Sequence, residues 1–400
     1  MNTNRMNANR LSAISLGHFA IDVLNSSVVI ILTVFTRDLA LGYSKIGLGV
    51  MIYMLAASLS QPFFGLLADR WRGRWLAAFG LLWTMSFYAI AAFADSYTLL
   101  LTLLTIGALG SGAFHPTGIV NAGDAGGSQP TTATSVFFLL GQTGLSVGPF
   151  VAGLVLDQMG MRGLPYIALA TLPAFLYMLW ALRAPMQEQD EVAHVAATGS
   201  RSRGAAVTIV VLFLLLVILR SSTLQSYIAL LPPYFADQGY TSGQYGFMVS
   251  IFTLAGALGT FSGGFLGDRF DRRHVIAVTL ILSVPFSFLL LRSSGWGYYI
   301  TAALSGALLN VPHSILLIMG QELLPKRKGM IGGVVLGLMF AAGAASAWLA
   351  GLAADRIGLM SVLTLLAFVP LLAAALVYTM PKARPRLLRT PADAAAVAAD

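Results

Sequence analysis

Twelve apolar runs, each long enough to cross a bilayer, occupy almost the whole of this chain. They fall at about 11–36, 45–69, 75–94, 97–120, 131–157, 164–183, 206–236, 244–268, 274–292, 296–322, 329–355 and 359–380. A membrane-spanning helix needs roughly 20 predominantly apolar residues. In hydrocarbon only helices and closed barrels satisfy their own backbone groups, and continuous runs of this length predict helices. With short connections they use up nearly all of the 400 residues. Charged residues make up 10% of the chain, against about 25% in a soluble domain, so no sizeable aqueous domain fits. Cysteine is absent, which excludes disulfides, thiol nucleophiles and cysteine metal sites. The segment up to Arg10 is short and polar and predicts no removable signal peptide.

The widest polar interruption runs from Arg183 to Arg203 and divides the spans six and six. The expected organisation is a first six-helix half over 1–183, a linker over 184–205, a second half over 206–381 and a tail over 382–400. Orientation follows from lysine and arginine in the short loops, which favour the cytoplasm. With the N-terminus cytoplasmic, eighteen of the 24 basic residues lie on that side and five on the other, leaving Arg220 inside a span. Both termini are therefore expected in the cytoplasm. The same asymmetry accounts for the net charge of +8 without any nucleic-acid partner.

A short pattern recurs four times at span ends: glycine, three apolar or small residues, then aspartate. It reads Gly65…Asp69, Gly153…Asp157, Gly264…Asp268 and Gly351…Asp355. The two halves repeat at an offset of about 198, and each half repeats internally at about 88, which is three spans. An odd number of spans inverts the second copy in the membrane. Two parallel halves, each of 3+3 inverted repeats, is the scheme of one large class of secondary transporters. The expected fold is therefore an all-α membrane protein of twelve transmembrane helices.

Several motifs now support a resemblance. Gly65-Leu-Leu-Ala-Asp69-Arg70-Trp71-Arg72-Gly73-Arg74 resembles the signature loop between helices 2 and 3 of the major facilitator superfamily, with Arg72 as an extra residue. The second-half copy, Gly264 through Asp268 and Arg269, carries Asp271 where the second glycine is usual. The resemblance implies that Gly65, Asp69, Arg70, Arg74, Gly264, Asp268 and Arg269 form a conformational latch, an aspartate at one helix end accepting from a neighbouring helix N-terminus. A charge cluster that only sets topology fits the same residues. Gly144-Leu-Ser-Val-Gly148-Pro149-Phe-Val-Ala-Gly153 is similar to the Gly-Pro motif of drug/proton antiporters in that superfamily, although span 4 lacks the arginine usual there. Small residues at these positions also serve close helix packing. Gly17-His18-Phe19 with Asp22, and Gly110 through His115-Pro116, look like the fosmidomycin-resistance branch of exporters.

Ionisable residues inside spans are costly and mark functional sites. Near mid-span these are His18, Asp22, His115, Arg220 and His313, on spans 1, 4, 7 and 10. The resemblance implies that these four helices line the central cavity. At the repeat offset of 198, His115 maps onto His313 and Asp22 onto Arg220, so one slot holds an anion and its copy a cation. Helical spacing puts Ser15, His18, Asp22 and Asn25 on one face. Arg220, Thr223 and Tyr227 share a second, Asn310 and His313 a third, and Gln142 adds a polar group on span 5. Asp22, His115 and His18 are the expected proton-coupling residues. Arg220, Asn25, His115, Gln142, Thr223, Tyr227, Asn310 and His313 are expected to contact substrate. Asp22 and Arg220 alternatively form a structural ion pair joining the halves. The histidines lie on separate helices without spaced partners, so no metal site and no cofactor beyond a coupling proton is expected.

These features predict a monomeric secondary transporter of the inner (plasma) membrane, working by alternating access. Its expected task is proton-coupled export of small polar or anionic organic compounds or drugs. The competing expectations are an importer or facilitator of a sugar or organic acid, and a membrane-embedded enzyme. No clustered nucleophile or carboxylate pair supports the enzyme, and no Gly-rich Lys-Ser/Thr loop supports ATP-driven transport. The topology is testable directly. Ser200→Cys should resist an impermeant thiol reagent added outside intact cells, and efficient labelling there would invert the orientation.

Overall fold

The computed structural model describes residues 6–71, 75–183, 203–323 and 328–382. Among these the chain forms fourteen α-helices: α1 (Ala8–Asp38), α2 (Tyr43–Trp71), α3 (Leu76–Ala91), α4 (Tyr97–Ala125), α5 (Pro130–Met159), α6 (Leu164–Ala170), α7 (Leu172–Ala181), α8 (Arg203–Asp237), α9 (Ser242–Arg269), α10 (Arg272–Leu290), α11 (Trp296–Asn310), α12 (Pro312–Leu323), α13 (Lys328–Ile357) and α14 (Leu359–Leu376). Two expected spans are each divided in two. Span 6 breaks at Thr171, ahead of Pro173, into α6 and α7, and span 10 breaks at Val311, ahead of Pro312, into α11 and α12. Proline lacks the backbone N–H and collides with the carbonyl four residues earlier. Counted as continuous apolar segments, these pairs restore twelve spans. Pro116 and Pro149, by contrast, sit inside unbroken helices.

The chain divides into two compact units. One holds Met1–Asp190 with Ala229–Ser250; the other holds Glu191–Ile228 with Ile251–Asp400. The first therefore includes the end of α8 and the start of α9 as well as the first six spans. The expected linker and tail lie mostly outside the described residues.

In the first unit α1 is the central helix. It packs along α5 and against α4, α7 and α3, and its side chains are buried around most of its circumference. A helix surrounded in this way needs apolar residues on every side, which is why its sequence shows no single greasy stripe. Glycine lets α5 come this close. A Cβ at Gly144 would meet the backbone of Phe19, and one at Gly148 would meet Ser26 and the Val23 backbone. The Gly-Pro motif is thus the seam between α5 and α1. At the near end of α1, the buried Arg10 donates to the Asn121 side chain of α4 through Nε (3.2 Å) and Nη2 (2.6 Å).

One copy of the Gly-x-x-x-Asp pattern makes the anticipated helix-end contact. Asp157, at the end of α5, accepts from the backbone N–H of Ser242 (2.6 Å) and of Gly243 (2.8 Å), and from the Ser242 hydroxyl. Those are the first residues of α9, whose amides have no partners within the helix. Gly153 completes the contact, because a Cβ there would strike the Ser242 carbonyl. Removing a side-chain cap costs about 0.5–2 kcal/mol. Asp157→Ala should lower thermal stability in detergent by that amount and Asp157→Asn by less; unchanged melting for Asp157→Ala would show the cap to be idle.

Candidate functional site

Packing of α1 against α4 and α5 assembles the polar cluster of the first unit. Asp22 is 5% exposed. Its Oδ2 lies 3.2 Å from His18 Nε2 and its Oδ1 lies 3.5 Å from His115 Nε2. Asn25 donates to Asp22 Oδ1 (2.9 Å) and to the Ser111 hydroxyl (3.0 Å), while its own oxygen accepts from Tyr53 (2.6 Å). Neighbouring Tyr88 donates to the Leu24 carbonyl. The His18 ring is stacked on Phe137, centroids 3.9 Å apart, and is edge-on to His115 at 5.2 Å.

The tautomers follow from the partners. His18 Nδ1 lies 2.8 Å from the Phe137 carbonyl, and His115 Nδ1 lies 2.8 Å from the Ser111 carbonyl. A carbonyl only accepts, so both Nδ1 atoms carry hydrogen. Both Nε2 atoms are then turned toward one carboxylate. The expectation that the histidines stay apart is thereby corrected: ligand atoms of His18, Asp22 and His115 all lie within 4.8 Å of one another. Sequence spacing hides this because the two histidines meet only through the α1–α4 contact.

The second unit holds a cluster of opposite sign. Arg220 of α8 is 1% exposed. Its Nε donates to the Leu309 carbonyl (3.0 Å), its Nη2 to Asn310 Oδ1 (2.9 Å), and its Nη1 faces His313 Nδ1 at 3.4 Å. The break ahead of Pro312 lies beside the carbonyl that Arg220 takes. Arginine cannot accept, so His313 Nδ1 is the acceptor and the imidazole is neutral. Among the described residues of this unit, no carboxylate lies within 4 Å of the guanidinium. Asp22 and Arg220 thus each find hydrogen-bonding partners within their own unit.

Other expected site residues sit elsewhere. The Gln142 side chain is exposed. Thr223 donates to the Leu366 carbonyl (3.1 Å) and Tyr227 to the Leu363 carbonyl (3.0 Å), which ties both to α14 rather than to the Arg220 cluster. The side chains of Asp69 and Arg70, and all of Arg74, lie outside the described residues; Gly65 sits near Pro116. In the second copy Asp268 is exposed and Arg269 stacks over Phe265 at 3.8 Å. Among the described residues, a Cβ at Gly264 would meet the Ser314 hydroxyl alone within 4 Å. The ion pairs there are instead Arg272–Glu322 (2.7 Å) and Arg273–Asp271 (3.0 Å). Asp271 caps α10 by accepting from the Arg273 amide. Partial burial pushes its carboxyl up, but the Arg273 hydrogen bonds outweigh that and hold it below the usual range.

Four residues of the site escaped sequence reasoning: Phe137, Gly141, Ser111 and Tyr53. Gly141 lies flat against the His18 ring, which a Cβ there would overlap. It precedes the Gly144–Gly148 pair at helical spacing, and that extension of the glycine row is the signal that could have found it.

Buried charges of opposite sign held in the spans of an all-helical fold fit a membrane transport protein. Comparison with known proteins agrees. The family model for the Major Facilitator Superfamily matches residues 14–241 and 211–399. The chain is 28% identical over 370 residues to the fosmidomycin resistance protein of Escherichia coli K12, covering 90% of each. It is 27% identical over 327 residues to the multidrug resistance protein MdtG of Citrobacter koseri, covering 75% of this chain and 78% of that one. Among solved structures, a bacterial homologue of the human lysosomal transporter Spinster, inward-facing and unoccupied, superposes with a TM-score of 0.77 at 13% identity, covering 93% of this chain and 96% of that one. The chain belongs to the Major Facilitator Superfamily. It is a multi-pass membrane transporter and not an enzyme.

The seating of His18 can be checked without a substrate. Gly141→Ala should destabilise the protein by about 1–3 kcal/mol through overpacking, read by thermal unfolding. Gly123→Ala, whose new Cβ meets nothing within 4 Å among the described residues, should be neutral or slightly stabilising. Equal melting of the two variants would contradict the close seating.

Proposed function

We propose that this transporter is a proton-coupled exporter, an antiporter of small polar or anionic organic compounds in the inner membrane, with both termini cytoplasmic. The observation that carries the reading is the buried Asp22 held between two imidazoles. An ionised Asp22 needs a proton in each of its two histidine contacts, and a protonated Asp22 can itself donate in one of them. A contact that loses its proton sets an imidazole lone pair against the carboxylate, so the proton content of the cluster and its geometry change together, as a coupling site requires. His115, the most exposed of the three, is the natural point of proton exchange.

Arg220 supplies the complementary part. Its partners in its own unit are neutral, and a buried charge with neutral partners favours an incoming anion. Asn310 and His313 hold the guanidinium in place for an anionic group of the substrate. Binding of the anion at Arg220 and loading of protons around Asp22 then alternate, and the proton gradient drives efflux. Two resistance proteins among the relatives support export over import, as does the Gly-Pro motif at the α1–α5 seam. The Gly65–Arg74 loop is assigned the family's latch role on its sequence.

The test uses everted membrane vesicles, an imposed inside-acid pH gradient and a panel of organic anions and drugs. Wild type should accumulate at least one compound. Asp22→Asn should abolish accumulation and keep exchange. Arg220→Ala should weaken substrate binding about 10- to 100-fold, the worth of a charged hydrogen bond, and Arg220→Lys should rescue it poorly because lysine lacks the planar fork. Accumulation by Asp22→Asn with the wild-type pH dependence would move the proton site to His115 or His18.

A further inference from the structure

The same three side chains meet the requirements of a metal centre. Both imidazoles have Nδ1 committed as a donor to a backbone carbonyl, Phe137 for His18 and Ser111 for His115. That is the outer-shell arrangement that orients histidine ligands and fixes Nε2 as the coordinating atom. Both Nε2 atoms then face the Asp22 carboxylate at 3.2 and 3.5 Å. Without added positive charge, two imidazole lone pairs would oppose an anion in a buried site. Two protons relieve this by occupying the contacts one at a time; a single divalent cation between the three groups relieves both at once.

The dimensions suit a first-row ion. Bonds to zinc from nitrogen and oxygen are about 2.0–2.2 Å, which sets tetrahedral ligand atoms roughly 3.3 Å apart. The two imidazoles each reach a different oxygen of Asp22, at 3.2 and 3.5 Å, and one ligand atom from each of the three residues lies within 4.8 Å of the others. His115 closes the cluster with least disturbance, since its side chain retains 22% exposure while those of His18 and Asp22 retain 4% and 7%. Asn25 steadies the carboxylate from the side.

We propose that His18, Asp22 and His115 bind one divalent transition-metal ion of zinc, cobalt or nickel type. The remaining coordination position is left for water or an anionic ligand. Imidazole donors select these ions over magnesium and calcium, which take oxygen shells. This assignment goes beyond the transport reading and does not depend on it, because binding is measured on the resting protein.

The experiment is zinc titration of the purified full-length protein in detergent by calorimetry, with cobalt absorption as a second probe. One zinc per chain should bind to wild type and to His274→Gln, which alters a histidine outside the cluster. His18→Gln and His115→Gln should each weaken binding at least tenfold, and the double variant should abolish it. A K-edge absorption spectrum of the zinc-loaded wild type needs no variant, and should show a nitrogen/oxygen shell with two imidazoles. No binding by wild type at about 100 µM zinc, binding unchanged in the double variant, or a shell without two imidazoles would each overturn the assignment.

Discussion

The approach of α5 to α1 is the constraint on which the rest of the first unit depends. Two helices come into backbone contact only where one presents glycine, and here Gly141, Gly144 and Gly148 line that contact. The closeness has a chemical result as well as a packing one. It brings the Phe137 carbonyl to His18 and so decides which nitrogen of that ring faces Asp22. A Cβ on this seam would therefore disturb the protonation pattern of a carboxylate one helix away.

The two units solve the same problem with charges reversed. In membrane-spanning segments an ionisable side chain is retained only where the protein itself supplies partners. The anion Asp22 is met by two imidazoles that give hydrogen through Nδ1 to carbonyls. The cation Arg220 is met by a carbonyl, an amide oxygen and an imidazole that accepts through Nδ1. His115 and His313 occupy equivalent places in the repeat, yet their Nδ1 atoms play opposite parts, because one faces the Ser111 carbonyl and the other the Arg220 guanidinium. A duplicated scaffold has been turned into a pair of unlike poles.

Much of this was legible in the sequence. The spans follow from run length, the repeat from four aspartates at two spacings, and the titratable residues from their rarity in apolar surroundings. The meeting of His18 with His115 was not legible, since it depends on the α1–α4 contact and on no spacing along the chain. Nor was the commitment of Thr223 and Tyr227 to α14, because a shared helical face does not say which neighbour it touches. The splitting of spans 6 and 10 was hidden for a related reason: Pro116 and Pro149 are tolerated inside helices, whereas Pro173 and Pro312 end them, and only local packing decides between these outcomes. Asp157 was singled out with three other aspartates, and a neighbouring helix start is seen capped by this copy.

His18 is fastened to a carbonyl of α5 while the carboxylate it faces travels with its own helix. A slip of α5 along α1 by one residue would carry the Phe137 carbonyl away by about 1.5 Å of helical rise and release the ring from its enforced tautomer. The imidazole could then turn a hydrogen toward Asp22 where it had presented a bare nitrogen. Helix position and proton affinity are in this sense two readings of a single coordinate, and the glycine seam that permits such a slip also acts as its gauge.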